Sequence, residues 1–477
     1  MKKAFRLSAM TMLASAALVT AAVPALASVS ATQAVINNSQ SLKAAPSSAI
    51  TTGGSSFDAN LLNAAISLYA LHGANNKNAL AAYASTSSGT GRASMIAGNL
   101  SIGFSDVPLN YAGVDDTATN YVQVPVALGG VAIISNLGFV SSVVESAVSP
   151  NTGADVTDTN VLGGTTPTIS DACKAAFAKN TLTLDGATLA GIFHGDITTW
   201  DASAIVALNP KVVVKLASPK LAAVAATSKA AAKPEKFGSI TVNCLSLLTQ
   251  ETIKVISRTA GSGTTFMFTD YLNQVSPVKF PTATQAAFSA ASATASNSAN
   301  LAAAVHSTDG SIGYVEYGYA LLNQEVPSKL KNANGQVVAL NAKSVAAAAV
   351  DGLTAINANN AGCANGFSLA GGSYVDATST VNTSCFSINN ASGAKDWPIA
   401  GFSYAITPKT TTVNSTNTAI AKFLIFLTQS GKATSADTTF GQNLASAQAY
   451  VSLPSGLSTV AYNALAAGLG GNVASTN

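Results

Sequence analysis

The 477 residues read as an α/β protein, because β-branched apolar runs alternate with helical stripes along the chain. Val122 to Ile134 is an almost unbroken apolar run, which predicts one or two strands. Pro125 within it marks an edge position or a bend, since proline cannot donate to a ladder. Leu61, Leu62, Ala65, Ile66 and Tyr69 fall at helical spacing. Ile253, Val255 and Ile256 predict a short buried strand before a Gly-rich turn. Ile420, Phe423, Leu424 and Leu427 form another helical stripe, which Gly431 can end. Strands that alternate with helices predict mostly parallel sheets.

Composition narrows the class of function. Asp, Glu, Lys and Arg make up 9% of the chain, against roughly 25% in an ordinary soluble domain. Hydrophobic residues reach 48%, which excludes a disordered tail. The formal net charge is +3. The first 27 residues hold three bases and no acid, so the remainder carries 21 of each sign and is neutral. A neutral chain lacks the basic face that nucleic acid needs and the polybasic run of a membrane anchor. Few aromatics argue against base stacking.

Residues 1–27 have the layout of a secretory signal peptide. Lys2 and Lys3 open it, Leu7 to Val23 is apolar, and Pro24-Ala25-Leu26-Ala27 supplies small residues for cleavage. Residues 28–49 are rich in Ser, Ala and Asn and predict a loose leader. Two later stretches read as insertions: 211–238, rich in Lys and Ala, and 282–305, dominated by Ala, Ser, Thr and Asn. Four cysteines, Cys173, Cys244, Cys363 and Cys385, in an exported chain favour disulfides. Three pairings are possible; Cys363 with Cys385 would be local and Cys173 with Cys244 the longer bridge. No C-x-x-C occurs and His72, His194 and His306 are scattered, so no metal or other cofactor is expected.

Arginine is the informative residue. Arg6 lies in the signal, which leaves Arg92 and Arg258. The guanidinium is a planar fork that matches an oxyanion, where lysine offers only a point charge. Both arginines stand beside small-residue loops, Ser87-Ser88-Gly89-Thr90-Gly91 and Gly261-Ser262-Gly263-Thr264-Thr265. A third such loop is Gly53-Gly54-Ser55-Ser56-Phe57. Each precedes a helical stretch, and a helix N-terminus offers free N–H groups to an anion. None is a Walker A loop, because no Gly-Lys-Ser/Thr follows. Asp106 sits between apolar flanks, Ile102 to Phe104 and Val107 to Leu109. Buried there, it would repel a fully ionised oxyanion and accept a proton from a protonated one such as monohydrogen phosphate.

These blocks resemble the periplasmic phosphate-binding proteins of phosphate ABC transporters, the PstS family. The likeness runs through Gly53 to Phe57, Tyr83 to Pro108, Leu189 to Pro210, Arg258 to Leu272, Ser311 to Tyr319 and Trp397 to Ile399. It implies a type II periplasmic binding protein, with two α/β lobes, a hinge, and ligand held in the cleft between them. On that reading residues 50–127 and 397–477 form one lobe and 128–396 the other. The second lobe would carry insertions near 140–180, 211–250 and 355–390. The resemblance further implies that Ser56, Phe57 through its main chain, Ser88, Asp106, Arg258, Ser262, Gly263 and Thr264 hold inorganic phosphate. Arg92 is not among the family's ligand positions. Ala260 departs from the family, which commonly carries an acid there to partner the arginine.

The expected function is a monomeric periplasmic receptor that hands phosphate to a membrane permease, without enzymatic chemistry. Arsenate shares the protonation of phosphate and is the alternative ligand. A phosphatase on the same scaffold lacks support, because no G-x-S-x-G elbow occurs. A surface or adhesive protein reusing the fold is the other alternative, given the Ser/Thr/Asn-rich insertions.

Overall fold

A computed structural model describes residues 41–109, 120–137, 173, 177, 182–209, 211–215, 239–248, 251–259, 261–280, 288–358, 367–368, 373–374, 387–429 and 441–474. In chain order these form β1 (Thr52–Gly54), α1 (Ala59–Tyr69), β2 (Ala84–Ser85), α2 (Ser88–Ile96), β3 (Ile102–Ser105) and β4 (Tyr121–Ser135). Then come β5 (Thr183–Asp185), α3 (Gly186–His194), α4 (Ser203–Leu208), β6 (Lys211–Lys215), β7 (Ser239–Asn243), β8 (Lys254–Arg258) and α5 (Gly263–Val275). Next are β9 (Ala291–Ala295), α6 (Ser298–Ser307), β10 (Ser311–Glu316), α7 (Tyr317–Leu322), β11 (Lys329–Lys331), β12 (Val337–Val338) and α8 (Ala342–Ala358). The last are β13 (Phe367–Ser368), β14 (Ser373–Tyr374), β15 (Ala400–Pro408), α9 (Ser415–Thr428), α10 (Ser455–Leu469) and α11 (Gly471–Ala474).

One sheet of eight strands organises the chain, in the order β2-β1-β3-β15-β4-β10-β8-β9. Its two wings, β2-β1-β3 and β10-β8-β9, are parallel. The middle is antiparallel: β15 pairs with β3 and β4, and β4 with β10. In this sheet the expectation of mostly parallel pairing therefore holds only for the wings; elsewhere β5 and β11 also pair in parallel. The physical reason is that β15 returns from far along the chain, beside β4, and closes the sheet between them.

The run from Val122 is a single strand, and Pro125 marks a bulge in it. Tyr404 pairs with Pro125 and Ser403 with Ala127, so Val126 is the extra residue. β10 covers only Val131 to Ser135, which leaves proline where its missing N–H costs nothing. Apolar residues before the bulge (Val122, Val124, Val126) join the core built on α1, α9 and α10. Those after it (Leu128, Val131 to Ile134) join the core around β8, β10, α3 and α5. The bulge is held by Gln442, which is fully buried. Its amide donates to Val126 O at 2.8 Å and Leu427 O at 2.7 Å, and its oxygen accepts from Leu453 N at 2.8 Å.

Three expectations need correction. Residues 282–305 are not an insertion: from 288 onward they supply edge strand β9 and α6. Their small polar residues reflect an exposed edge, while Leu301, Ala302 and Val305 turn into the core. The leader is not loose to its end. Leu42 is buried, its N–H meets Asn76 Oδ1 at 3.0 Å, and Lys422 Nζ reaches Ser41 O. Residues 211–238 begin as β6, which pairs with β7 in an antiparallel ribbon; 216–238 lie outside the described residues. Cys173 and Cys244 are bonded, with Cα atoms 5.6 Å apart and both buried. Cys363, Cys385 and Gly431 lie outside the described residues, as does most of 140–180 and of 355–390. α9 ends at Thr428.

Gln442→Ala would strand two carbonyls and one N–H in the core. A loss of about 2–5 kcal/mol of stability is expected. Urea unfolding followed by circular dichroism checks it, and a midpoint that does not move would show that the bulge needs no such support.

Candidate anion-binding site

The three Gly/Ser loops follow the carboxyl ends of β1, β2 and β8, where strand-to-helix turns expose their N–H groups. β8 ends on Arg258, which is 1% exposed. Its Nη1 donates to Ser298 Oγ at 2.9 Å and to Ser56 Oγ at 3.3 Å, and its Nη2 to Ser296 O at 3.2 Å. Ser56 belongs to the loop after β1, so this guanidinium joins the two wings of the sheet. The Arg258 N–H donates to Tyr314 Oη at 3.1 Å, which ties the end of β8 to β10.

Asp106 follows β3 and is 2% exposed. Ser55 Oγ stands 2.8 Å from each of its carboxylate oxygens, and Ser88 Oγ donates to Oδ2 at 3.1 Å. The Asp106 N–H donates back to Ser88 Oγ at 3.1 Å. The Phe57 N–H donates to Ser55 Oγ at 3.0 Å. Tyr83 Oη donates to Ser55 O at 2.6 Å, and Tyr450 Oη to Phe57 O, so both ends of this loop are fixed from outside.

The opposing loop closes on this group. The Gly89 N–H donates to Gly261 O at 2.9 Å. Gly261 has φ 91°, a left-handed value that suits glycine. Ser262 caps α5 by accepting from the Thr265 N–H at 3.2 Å. Gly263 packs so tightly that a Cβ there would overlap the Asp106 carboxylate and the Ser88 hydroxyl. Thr264 follows, buried, in the first turn. All eight anticipated residues are thus in one group. Arg92 is buried on α2, one turn on from Ser88, and Ala260 lies outside the described residues.

Sequence reasoning missed Ser55, Asp58, Ser298 and Glu316. Ser55 shares the hydroxyl run with Ser56, and only the turn at Gly54 (φ 136°) decides which faces Asp106. Asp58 is buried at the start of α1 and accepts from Ser403 Oγ at 2.8 Å and Tyr83 Oη at 3.3 Å. Ser298 stood in the stretch set aside as an insertion. Its signal was Asn297, which caps α6 by accepting from the Asn300 N–H at 2.8 Å. Glu316 ends a buried strand, the position from which α/β sheets present their site residues.

Burial dominates the electrostatics. It pushes the Asp106 carboxyl up to about 6, against the pull of the Ser403, Ser55 and Ser88 hydroxyls and of Arg258. It also raises Asp58 well above the usual carboxylate range, with Asp106 adding repulsion. It pulls the Arg258 guanidinium below its usual range, which Glu316, Tyr314 and Asp106 oppose. A small cavity runs from Asp106 past Phe266, Met267 and Asp270 to Asn389 and Tyr404. Asp270 is tied there by Asn389 Nδ2 at 2.7 Å and Gln274 Nε2 at 3.1 Å. Among the described residues no cluster of three His, Cys, Asp or Glu could hold a metal ion. Among them, too, no helix is long and apolar enough to cross a membrane.

The PBP superfamily domain matches residues 39–432. The chain belongs to the PBP superfamily. Its similarity within that superfamily points to phosphate-binding proteins. It is 29% identical over 270 residues to the phosphate-binding protein PstS of Xylella fastidiosa (strain Temecula1), covering 56% of this chain and 54% of that one. It is 28% identical over 316 residues to the PstS protein of Haemophilus influenzae, covering 64% of this chain and 69% of that one. The chain thus spans about half the length of the first of these relatives. A high-affinity periplasmic phosphate-binding protein, PfluDING, solved with phosphate, matches with a TM-score of 0.50 at 18% identity, over 86% of this chain and 92% of that one. An ancestral soluble variant of the human phosphate binding protein matches with a TM-score of 0.51 at 18% identity and the same coverage. At that identity the likeness concerns the fold, which is that of a type II periplasmic binding protein.

For this PBP superfamily member, Gly263→Ala should hold the facing loops apart. Small-angle scattering should then give a larger radius of gyration than the parent's, with an unchanged circular dichroism spectrum. Superimposable scattering curves would show that the close approach at Gly263 does not control closure.

Proposed function

We propose that the chain is an exported, periplasmic receptor that captures inorganic phosphate and delivers it to the permease of an ABC transporter. The observation that carries this reading is the buried guanidinium of Arg258 facing Ser56 across the two wings, beside an enclosed Asp106. The similarity to PstS proteins supports it. Residues 50–127 with 397–477 make one lobe on this reading, and 128–396 the other. The receptor acts as a monomer, binds no nucleic acid and carries out no covalent step.

Each group then has a role. Arg258 supplies the charge and a forked pair of donors. Ser56, Ser88, Ser262 and Thr264 supply hydroxyls, while Phe57 and Gly263 offer main-chain N–H groups. Several of these donors bond to one another in the structure, and an entering anion takes over those bonds. Closure removes water, which strengthens every charged hydrogen bond in the cleft. Asp106, ionised at neutral pH, accepts the proton of monohydrogen phosphate; sulfate has none to give and leaves two acceptors face to face.

Calorimetric titration of phosphate, arsenate and sulfate into ligand-stripped protein tests the reading. Phosphate should bind well below millimolar and far better than sulfate; phosphate that binds no better than millimolar would refute it. Arg258→Ala should cost about 2–5 kcal/mol of phosphate affinity, because the buried anion loses its charge partner. Asp106→Asn should lower the phosphate-to-sulfate ratio. The same ratio should fall in the parent as pH drops through about 6, where Asp106 gains a proton and ceases to accept. A ratio that is flat across that window would remove Asp106 from the selectivity.

A further inference from the structure

β10 ends on Glu316, where the chain turns into α7. The residue is 1% exposed, and neither carboxylate oxygen makes a hydrogen bond of good geometry among the described residues; the Ser298 hydroxyl and the residue's own N–H are the only donors near enough to favour its charge. Arg258 Nε, on the neighbouring parallel strand β8, is buried and equally unengaged. Ser298 stands with both: its hydroxyl accepts from Arg258 Nη1 at 2.9 Å, and it is the polar group that acts most strongly on Glu316. The other charged or titratable groups acting on Glu316 are Asp106 beyond β3, Tyr319 of α7 and Tyr450, and Asp58 at the start of α1 acts on the same two tyrosines. Arg258 is the one cation in this group.

The charge count forces a choice. Asp58, Asp106 and Glu316 are all buried, and if all three were ionised the group would stand at a formal −2 before any anion entered. A buried carboxylate with so few and such poorly aligned donors is costly, and the cheaper state is the protonated acid. Burial accordingly raises Glu316 well above the usual carboxylate range, although Ser298 and Arg258 pull it down. We propose that Glu316 belongs to the anion site as a neutral carboxyl and acts through Arg258. While it keeps its proton, the guanidinium charge is left to the bound oxyanion and Asp106. When it loses that proton as pH rises, it competes with the oxyanion for Arg258 and releases it. Glu316 is thus a positioning residue, which never touches the anion itself. This rests on the phosphate reading above.

The test compares the full chain with Glu316→Gln, which keeps the shape and neutrality of the protonated acid. Phosphate is titrated into each from about pH 6 to about pH 9. The ratio of the parent's dissociation constant to the variant's cancels the titration of phosphate itself and of all other groups. It should rise at least about fivefold with pH across that range, against a ceiling of about tenfold per pH unit for one proton. A constant ratio, whatever its size, overturns the proposal, because a purely structural role would not vary with pH.

Melting curves without ligand give a second reading. A carboxyl raised in the native state holds a proton that the unfolded chain has already lost above its ordinary range. The parent therefore loses stability as pH rises, and the variant should gain on it steadily. Parallel melting profiles overturn the neutral carboxyl. Phosphate that binds the parent at no pH sinks the receptor reading instead, and the melting profiles then decide the charge of Glu316 alone.

Discussion

A guanidinium with almost no access to water is the constraint around which this molecule is arranged. Arg258 cannot shed its charge, so its surroundings must replace the lost hydration. The replacement is mostly neutral: two serine hydroxyls and one carbonyl. Neutral oxygens stabilise a cation without cancelling it. The acids that would cancel it, Asp58 and Glu316, are buried deeply enough that their carboxyls are raised well above the usual range. Much of the local architecture follows. α6 must begin where it does to present Ser298 and the Ser296 carbonyl, and β10 must lie beside β8 so that Tyr314 Oη can receive the Arg258 N–H.

The same arrangement explains why so few charges suffice. With 9% charged residues, the chain has little long-range field to draw an anion inward. On the receptor reading, recognition is left to short-range donors on three loops, each held by its own helix cap or tyrosine. Ser87 and Ser262 cap α2 and α5, while Tyr83 and Tyr450 grip the loop after β1. The donors are therefore positioned before any ligand arrives, which lowers the entropy lost on binding.

Much of this could be read from the residues, and the failures have physical causes. Arg258, Asp106 and the Gly/Ser loops stood out because a rare arginine, a carboxylate in apolar flanks and a glycine turn each need a local reason. α1, β4, β8 and α9 were legible because their apolar spacing persists over enough residues to show a period. The antiparallel centre was not, because the pairing of β4 with β15 depends on contacts between residues nearly three hundred positions apart. β9 and α6 were misjudged since an exposed edge strand of Ala, Ser and Thr has the composition of a loop. Ser55 and Ser56 could not be told apart, as backbone torsion at Gly54 settles their directions. Glu316 was hidden in a run that reads simply as a buried strand.

The bulge at Val126 has a further consequence. Two adjacent strands, β4 and β15, pass between the two hydrophobic cores, and the irregularity in their ladder falls where the cores change over. A pair of hydrogen-bonded strands resists shear and torsion far better than a flexible linker does, yet it bends at a break in its pairing. On the two-lobe reading proposed above, relative motion of the halves would be reduced to little more than one coordinate, a fold about the bulge. Closure along that coordinate would bring Gly261 to Gly89 in the register their hydrogen bond has here.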